Sequence, residues 1–169
     1  MSINLGDAWE AVADALGDEI ALRHGAQTET FAEFERRAAR LAGALQAHGV
    51  GHDTKVALYL YNANEYLEGC LAAFKLRAVP VNVNYRYLAD ELLYLLDNAD
   101  AEAIIYHGGL AERVQAVRDR LPKLKLLVQV ATTDADRVPL LPGAIDFEAF
   151  VAAQHAGGAD SFRRLRPRR

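Results

Sequence analysis

The chain has 169 residues, 51% hydrophobic and 25% charged, enough for one soluble domain with a real core. Its formal net charge of −4 conceals a split: residues 157–169 sum to +4, which leaves −8 on residues 1–156 and argues against a nucleic-acid-binding body. No apolar run reaches the length of a membrane helix, no secretory leader pattern opens the sequence, and the single cysteine, Cys70, excludes an internal disulfide, so a cytoplasmic protein without a transmembrane segment is expected.

In chain order, LGDAWEAVADALG places Trp9, Val12, Ala13 and Leu16 on one face of a helix closed by Gly17. EIALRHGAQTETFAEF reads as a strand with Ile20 and Leu22, a turn at Gly25 and a short return strand. Thr30 followed by Glu33 has capping-box spacing, and Phe34, Ala38, Leu41 and Leu45 then line one face of a long helix ended by Gly49 and Gly51. KVALYLY, 55–61, is apolar on both faces, as in a strand covered on both sides. Asn62 is placed to cap the next helix, with Glu65 at its N3 position. That helix is nearly apolar except for Glu68, Lys75 and Arg77, and is expected to be largely buried.

VPVNV continues as a strand in which Pro80 donates no hydrogen bond, so an edge position or a bulge is expected. Asn82 and Asn84 mark its polar end, where side-chain amides tie down the following turn with Arg86 and Tyr87. ADELLYLLDNAD is a short helix ending near Asn98, EAIIYH a strand, GGLAERVQAVRDRL a helix stopped by Pro122, and KLLVQV a strand. ATTDADRVPLLPGA is loop, and IDFEAFVAAQ supplies one more short amphipathic turn or two. Strands and helices therefore alternate from Gly51 to Val130, which makes the fold class α/β, with a mainly parallel sheet and helices layered on it.

Candidate chemistry is sparse. A dinucleotide site needs G-x-G-x-x-G after the first strand, but NANEYLEG holds no glycine before Gly69, and no Walker lysine loop exists. His24, His48, His52, His107 and His155 are scattered, and none pairs with another at helical metal spacing. His107-Gly108-Gly109 could present free amides to an anion, although a turn that starts a helix outweighs that reading. Asp53 and Asp90 are acids of the kind found at loop and helix starts, and Cys70 is expected to be inert on a buried helix. Tyr59, Tyr61, Tyr85, Tyr87 and Tyr94 read as packing residues. No nucleophile, base and orienting group can be assembled, so no catalytic, cofactor-binding or metal-binding residue is assigned.

Two stretches carry a resemblance. ETFAEF (Glu29–Phe34) before a long helix resembles the first signature segment of acyl- and aryl-CoA synthetases, luciferases and peptide-synthetase adenylation domains. Lys55–Tyr106 is similar to the next stretch of that adenylate-forming superfamily, with Leu76-Arg77-Ala78-Val79 in place of a Leu-Lys-Ala-Gly-like sequence, followed by Pro80 and Asn82. The departure at Val79 is tolerable at a strand start. The resemblance covers about residues 5 to 153, looks closest to fatty-acyl-CoA ligases, and makes this chain part of their large N-terminal domain. It implies an ATP- and magnesium-dependent ligase that adenylates a carboxylic acid with release of pyrophosphate and passes the acyl group to coenzyme A. It also implies that a phosphate loop ending in Pro-Lys-Gly and a small C-terminal domain with a catalytic lysine lie further on. Neither can be matched to a position here, so the 169-residue chain is expected to use no cofactor and to be inactive alone. The alternative is a stand-alone binding or regulatory module, and retained catalysis ranks last.

Residues 1–155 are accordingly read as a partial adenylation domain and 156–169 as an arginine-rich, disordered tail; a tail binding RNA or an acidic partner is the weaker reading. Fifteen arginines against four lysines suggest GC-rich coding DNA, and the abrupt change at HAGGADSFRRLRPRR suggests a frameshift or early stop. Downstream DNA that encodes no phosphate-loop segment in any frame would refute that origin. Apolar faces bared by truncation are expected to favour self-association.

Overall fold

The computed structural model describes residues 4–131 and 138–153. Helix α1 (Leu5–Ala15) precedes an antiparallel hairpin of β1 (Ile20–His24) and β2 (Gln27–Thr30), which leads into α2 (Phe31–Ala47). Then follow β3 (Lys55–Tyr59), α3 (Asn64–Lys75), β4 (Val79–Asn82), α4 (Ala89–Asn98) and β5 (Ala103–His107). A single 3-10 turn (Gly108–Leu110) joins β5 to α5 (Ala111–Arg118), and β6 (Leu126–Val130), β7 (Ile145–Asp146) and α6 (Phe147–Ala152) complete the described chain. The main sheet has the order β4-β3-β5-β6-β7, and every neighbouring pair in it is parallel. The α/β expectation holds, as does the edge position of the strand carrying Pro80, which opposes Val56 at the sheet's outer side.

Alternation along the strands separates two cores. Val56, Leu58, Ile105 and Val128 face one way and pack with Leu41, Leu45, Ala72 and Phe150 of α2, α3 and α6. Ala57, Tyr59, Ile104, Tyr106 and Leu127 face the other way and meet Leu92, Leu96, Val114 and Val117 of α4 and α5. Gly69 lets α3 lie close on the sheet: a Cβ there would stand 2.8 Å from Leu58 Cδ2, itself fully buried. A third, smaller cluster of Phe34, Ala38 and Leu71, with Trp9 and Leu22 against it, seats α1 and the hairpin outside α2 and α3.

Thr30 caps α2 as expected: its Oγ1 accepts from the Glu33 amide at 3.2 Å, and its own amide donates to Glu33 Oε2 at 2.9 Å. Asn84 Oδ1 accepts from the Arg86 amide at 3.0 Å, the amide tie expected in that turn. Other expectations need correction. Helix α3 begins at Asn64 with Ala63 as its N-cap and no side-chain cap bond, because Asn64, not Asn62, is tied down by donating to Glu29 Oε1. Helix α5 ends at Arg118, short of Pro122, and β7 is a two-residue strand that its short length hides from any pattern. In α1 the buried residues are Gly6, Glu10 and Ala13, while Val12 and Leu16 are exposed. That helix is turned so that Glu10 reaches a buried lysine; Ala13 is buried and Trp9 packs on Phe34, which leaves Val12 and Leu16 at the surface.

Helices α2, α3 and α4 all close with the same pair of bonds. In α3 the Ala78 amide donates to Ala73 O at 2.9 Å and the Arg77 amide to Phe74 O at 3.0 Å; in α4 Ala101 and Asp100 donate to Leu96 and Asp97. The motif needs a left-handed residue, which is Gly49 in α2 but Arg77 (φ 55) and Asp100 (φ 56) in the other two. A side chain costs about 1–2 kcal/mol in that region, more than the ~0.5–1 kcal/mol of unfolded-state entropy that glycine adds. Arg77→Gly and Asp100→Gly are each expected to stabilise by up to about 1 kcal/mol, raising the thermal midpoint by roughly 2–4 °C in scanning calorimetry.

Candidate functional site

In a parallel sheet, ligands bind where successive crossovers leave in opposite directions, at the carboxyl ends of the strands. Here the chain leaves β3 for β4 on one side and returns to β5 on the other, so that point lies between the loops after β3 and β5. The residues there are aromatic. Tyr61 follows β3 and packs on His107 at the end of β5 (4.7 Å between ring centroids) and on Tyr85 (5.3 Å). Arg113 of α5 donates to the carbonyls of Tyr85 (2.8 Å) and Tyr87 (3.1 Å) and to Tyr59 Oη (3.2 Å), while Tyr59 Oη donates to Tyr87 O at 2.6 Å. These bonds pin the β4–α4 turn over the crevice.

His107 settles the Gly108-Gly109 question. Its Nδ1 accepts from the Gly109 amide at 3.0 Å, which fixes the proton of the neutral ring on Nε2 and occupies the amide an anion would need. The turn opens a three-residue 3-10 segment, so the helix-start reading prevails. The other sequence candidates lie apart. Asp53 is exposed at φ 65 and pairs with Lys55 at 2.9 Å, whose bond holds its carboxyl below the usual range; Asp90 sits in the first turn of α4. Cys70 is half-buried, and burial pushes its thiol upward, so the thiolate is disfavoured. Among the described residues no three His, Cys, Asp or Glu side chains are grouped to hold a metal.

Two charge clusters escaped the sequence reading. Lys75 Nζ, buried beneath α1, donates to Glu10 Oε1 at 2.6 Å and to Glu35 Oε1, joining α1, α2 and α3. Arg37 donates through Nε to Glu68 Oε1 at 2.7 Å and through its two terminal nitrogens to Glu148 at 2.6 and 3.1 Å, joining α2, α3 and α6. Burial opposes the charge on Arg37, but the bonds to Glu148 and Glu68 override it and raise its pKa. Glu68 fares differently: wholly buried and bonded through one oxygen only, it loses more by desolvation than Arg37 returns, and its pKa is pushed up to about 7. The available signal was the charge inside an otherwise apolar helix, since Glu68 and Lys75 are among the buried residues of α3.

The family described as AMP-binding enzyme matches residues 9–157. This chain belongs to that family. It is 37% identical to the medium-chain acyl-CoA ligase Mig of Mycobacterium avium, over 87% of this chain and 29% of that protein. It is also 37% identical to a 3-oxocholest-4-en-26-oate–CoA ligase of Rhodococcus rhodochrous, over 90% of this chain and 27% of that one. The anthranilate CoA ligase AuaEII, solved with anthranoyl-AMP, shares the fold with a TM-score of 0.83 at 23% identity, over 90% of this chain and 28% of that chain. The chain thus spans under a third of the length of these relatives, and the sheet above is the corresponding part of their N-terminal domains. The match stops at residue 157, before the arginine-rich end.

Proposed function

We propose that the chain is the N-terminal part of an ATP-dependent carboxylic-acid–CoA ligase acting on fatty acids, and that by itself it does not catalyse. The supporting observation is a continuous family match over residues 9–157 that covers only 29% and 27% of the two acyl-CoA ligase relatives. In the complete family reaction a carboxylate displaces pyrophosphate from ATP, and coenzyme A then displaces AMP from the acyl group. The residues present do not fit ATP and magnesium: the Gly109 amide is taken by His107, Gly108-Gly109 is followed by Leu110 and Ala111 in place of a lysine, and no three His, Cys, Asp or Glu side chains are grouped to hold a metal among the described residues. No step is therefore assigned to them, and ATP, magnesium and coenzyme A belong to the longer enzyme. Pyrophosphate exchange into ATP with a panel of fatty acids is expected to stay at background for this chain. Exchange well above background would overturn the reading.

The division at residue 155/156 goes with this proposal, as does a cytoplasmic location, given the single cysteine and no described helix long and apolar enough to cross a membrane. The exposed edge of β4 with Val79, together with Leu88 and Tyr94 beside and on α4, is the surface for self-association. A stand-alone binding or regulatory module stays the second reading because both faces of the sheet are already covered by closed cores. It requires a monodisperse chain that unfolds cooperatively.

A further inference from the structure

Helix α1 has two faces. Gly6, Glu10 and Ala13 are buried against the body, while Leu5 (63% exposed), Ala8, Val12 (39%), Ala15 and Leu16 (44%) are left at the surface. Leu5, Ala8, Val12 and Ala15 recur at intervals of three, four and three residues, the spacing of a helix that packs along another helix. Trp9, Ala11 and Leu16 flank that seam, and none of them is charged. The acids of α1 lie on the far side: Asp7 accepts from the Asn4 amide at 3.1 Å, Glu10 is held by Lys75, and Asp14 stands two turns beyond Asp7. Beside the stripe an apolar groove of about 550 Å³ runs between α1, the hairpin and α3, with Trp9, Phe31, Leu67 and Phe74 in its lining and no charged side chain. So much contiguous exposed apolar surface marks an interface. A ridge and a groove side by side are self-complementary, because a two-fold axis lays the ridge of each copy against the groove of the other.

We propose that this face binds a second copy of the chain, with the two α1 helices antiparallel about a two-fold axis level with residue 10. In that register Leu5 faces the partner's Ala15 and Val12 faces the partner's Ala8, so each large side chain meets an alanine and the helices approach closely. The ridge of each copy then covers the partner's groove. A second copy suits the face better than a charged partner, since neither seam nor groove offers a counter-charge. Residues 1–156 sum to −8, so two bodies repel except where charge is absent, and the outer side of α1 is such a place. Antiparallel alignment also sets helix ends of opposite dipole side by side. An 11-residue helix is about 16 Å long, so the interface is small and the dimer dissociates on the order of 10 μM. This face is separate from the β4 edge, and the inference does not depend on the ligase reading.

Sedimentation velocity of the full chain from about 1 to about 200 μM tests the pairing. The parent chain is expected to pass from one copy to two over that range. Trp9 and Cys70, the only tryptophan and the only cysteine, both line the groove, so Trp9 emission should move to the blue and the thiol lose reactivity in step. Ala8→Glu and Val12→Lys change surface positions of α1 and should keep the thermal midpoint while each weakens the dimer at least about tenfold. An equimolar mixture of the two variants should associate again, because the new charges of opposite sign face each other across the axis. Failure of the mixture to associate would rule out the antiparallel register. A chain still monomeric at the top of the range would overturn the proposal, and so would undiminished dimerisation of Ala8→Glu. Tyr94→Lys on α4 should leave the dimer intact; if it alone dissolves the dimer, the β4 edge is the interface and α1 is not.

Discussion

Lys75→Met is expected to destabilise the fold by about 3–5 kcal/mol, the largest loss from any single charge here, because it strands two carboxylates in the interior. Lys75 Nζ is the shared donor to Glu10 and Glu35, and its side chain is only 2% exposed. The three residues come from α3, α1 and α2, so the cost is also one of docking: without the ammonium, α1 has buried its acidic side for nothing. Urea denaturation at neutral pH measures the effect. The companion variant with Glu10→Gln and Glu35→Gln added should recover more than half of the loss, since neutral amides bury at far lower cost than anions. A loss below about 1 kcal/mol in Lys75→Met would show that the carboxylates reach water, contrary to the geometry.

The second large effect is a dependence of stability on pH set by Glu68. Its carboxyl has a pKa of about 7 in the fold against 4.5 for the ordinary group, so the folded chain holds the proton more tightly than the unfolded one. Below 4.5 both states are protonated and nothing is lost. As pH rises from 4.5 to 7 the unfolded chain releases its proton first, and stability falls by up to about 3 kcal/mol before levelling off. Glu65, raised chiefly by burial, adds a change of the same sign. Urea midpoints of the parent chain, corrected for the remaining acids by comparison with Glu68→Gln, should therefore diverge through this window, with the variant the more stable of the two above pH 7. Parallel curves for the two proteins would contradict the assignment. The direction is opposite to that of an acid stabilised by its salt bridge because burial outweighs the pairing: Glu68 is wholly desolvated, and Arg37, divided between Glu68 and Glu148, leaves Glu68 Oε2 without a hydrogen-bond partner.

The parts of this molecule that were legible from sequence are those governed by local rules. The Thr30–Glu33 capping box, the turn at Gly25, the Pro80 edge strand and the Asn84 tie depend on residues within a few positions of each other, and each lies where its chemistry placed it. The alternation of strands and helices from Gly51 to Val130 was equally plain, because side-chain periodicity follows from the geometry of each element. The errors arose where a partner distant in sequence decided the outcome. Asn62 is suitably placed to cap α3, yet Glu29 draws Asn64 and the helix starts later. Trp9, Val12, Ala13 and Leu16 share one face of α1 in the sequence, yet the lysine under the helix turns Glu10 inward, so that Ala13 and Trp9 pack while Val12 and Leu16 stay exposed.

The candidate site divides the same way. Sequence alone raised His107-Gly108-Gly109 as an ambiguous turn; only the structure shows His107 Nδ1 taking the Gly109 amide and its ring resting on Tyr61 at the switch point. By itself the amino-acid sequence determined the fold class, the run of elements and the family, because these rest on periodicity and on short contiguous signatures. Tertiary structure decided which charges are buried, which face of α1 is left uncovered and what the glycine pair does. The buried charges depend on residues 31 to 111 positions apart meeting in space, such as Lys75 with Glu35 and Arg37 with Glu148, and no local pattern encodes such a meeting.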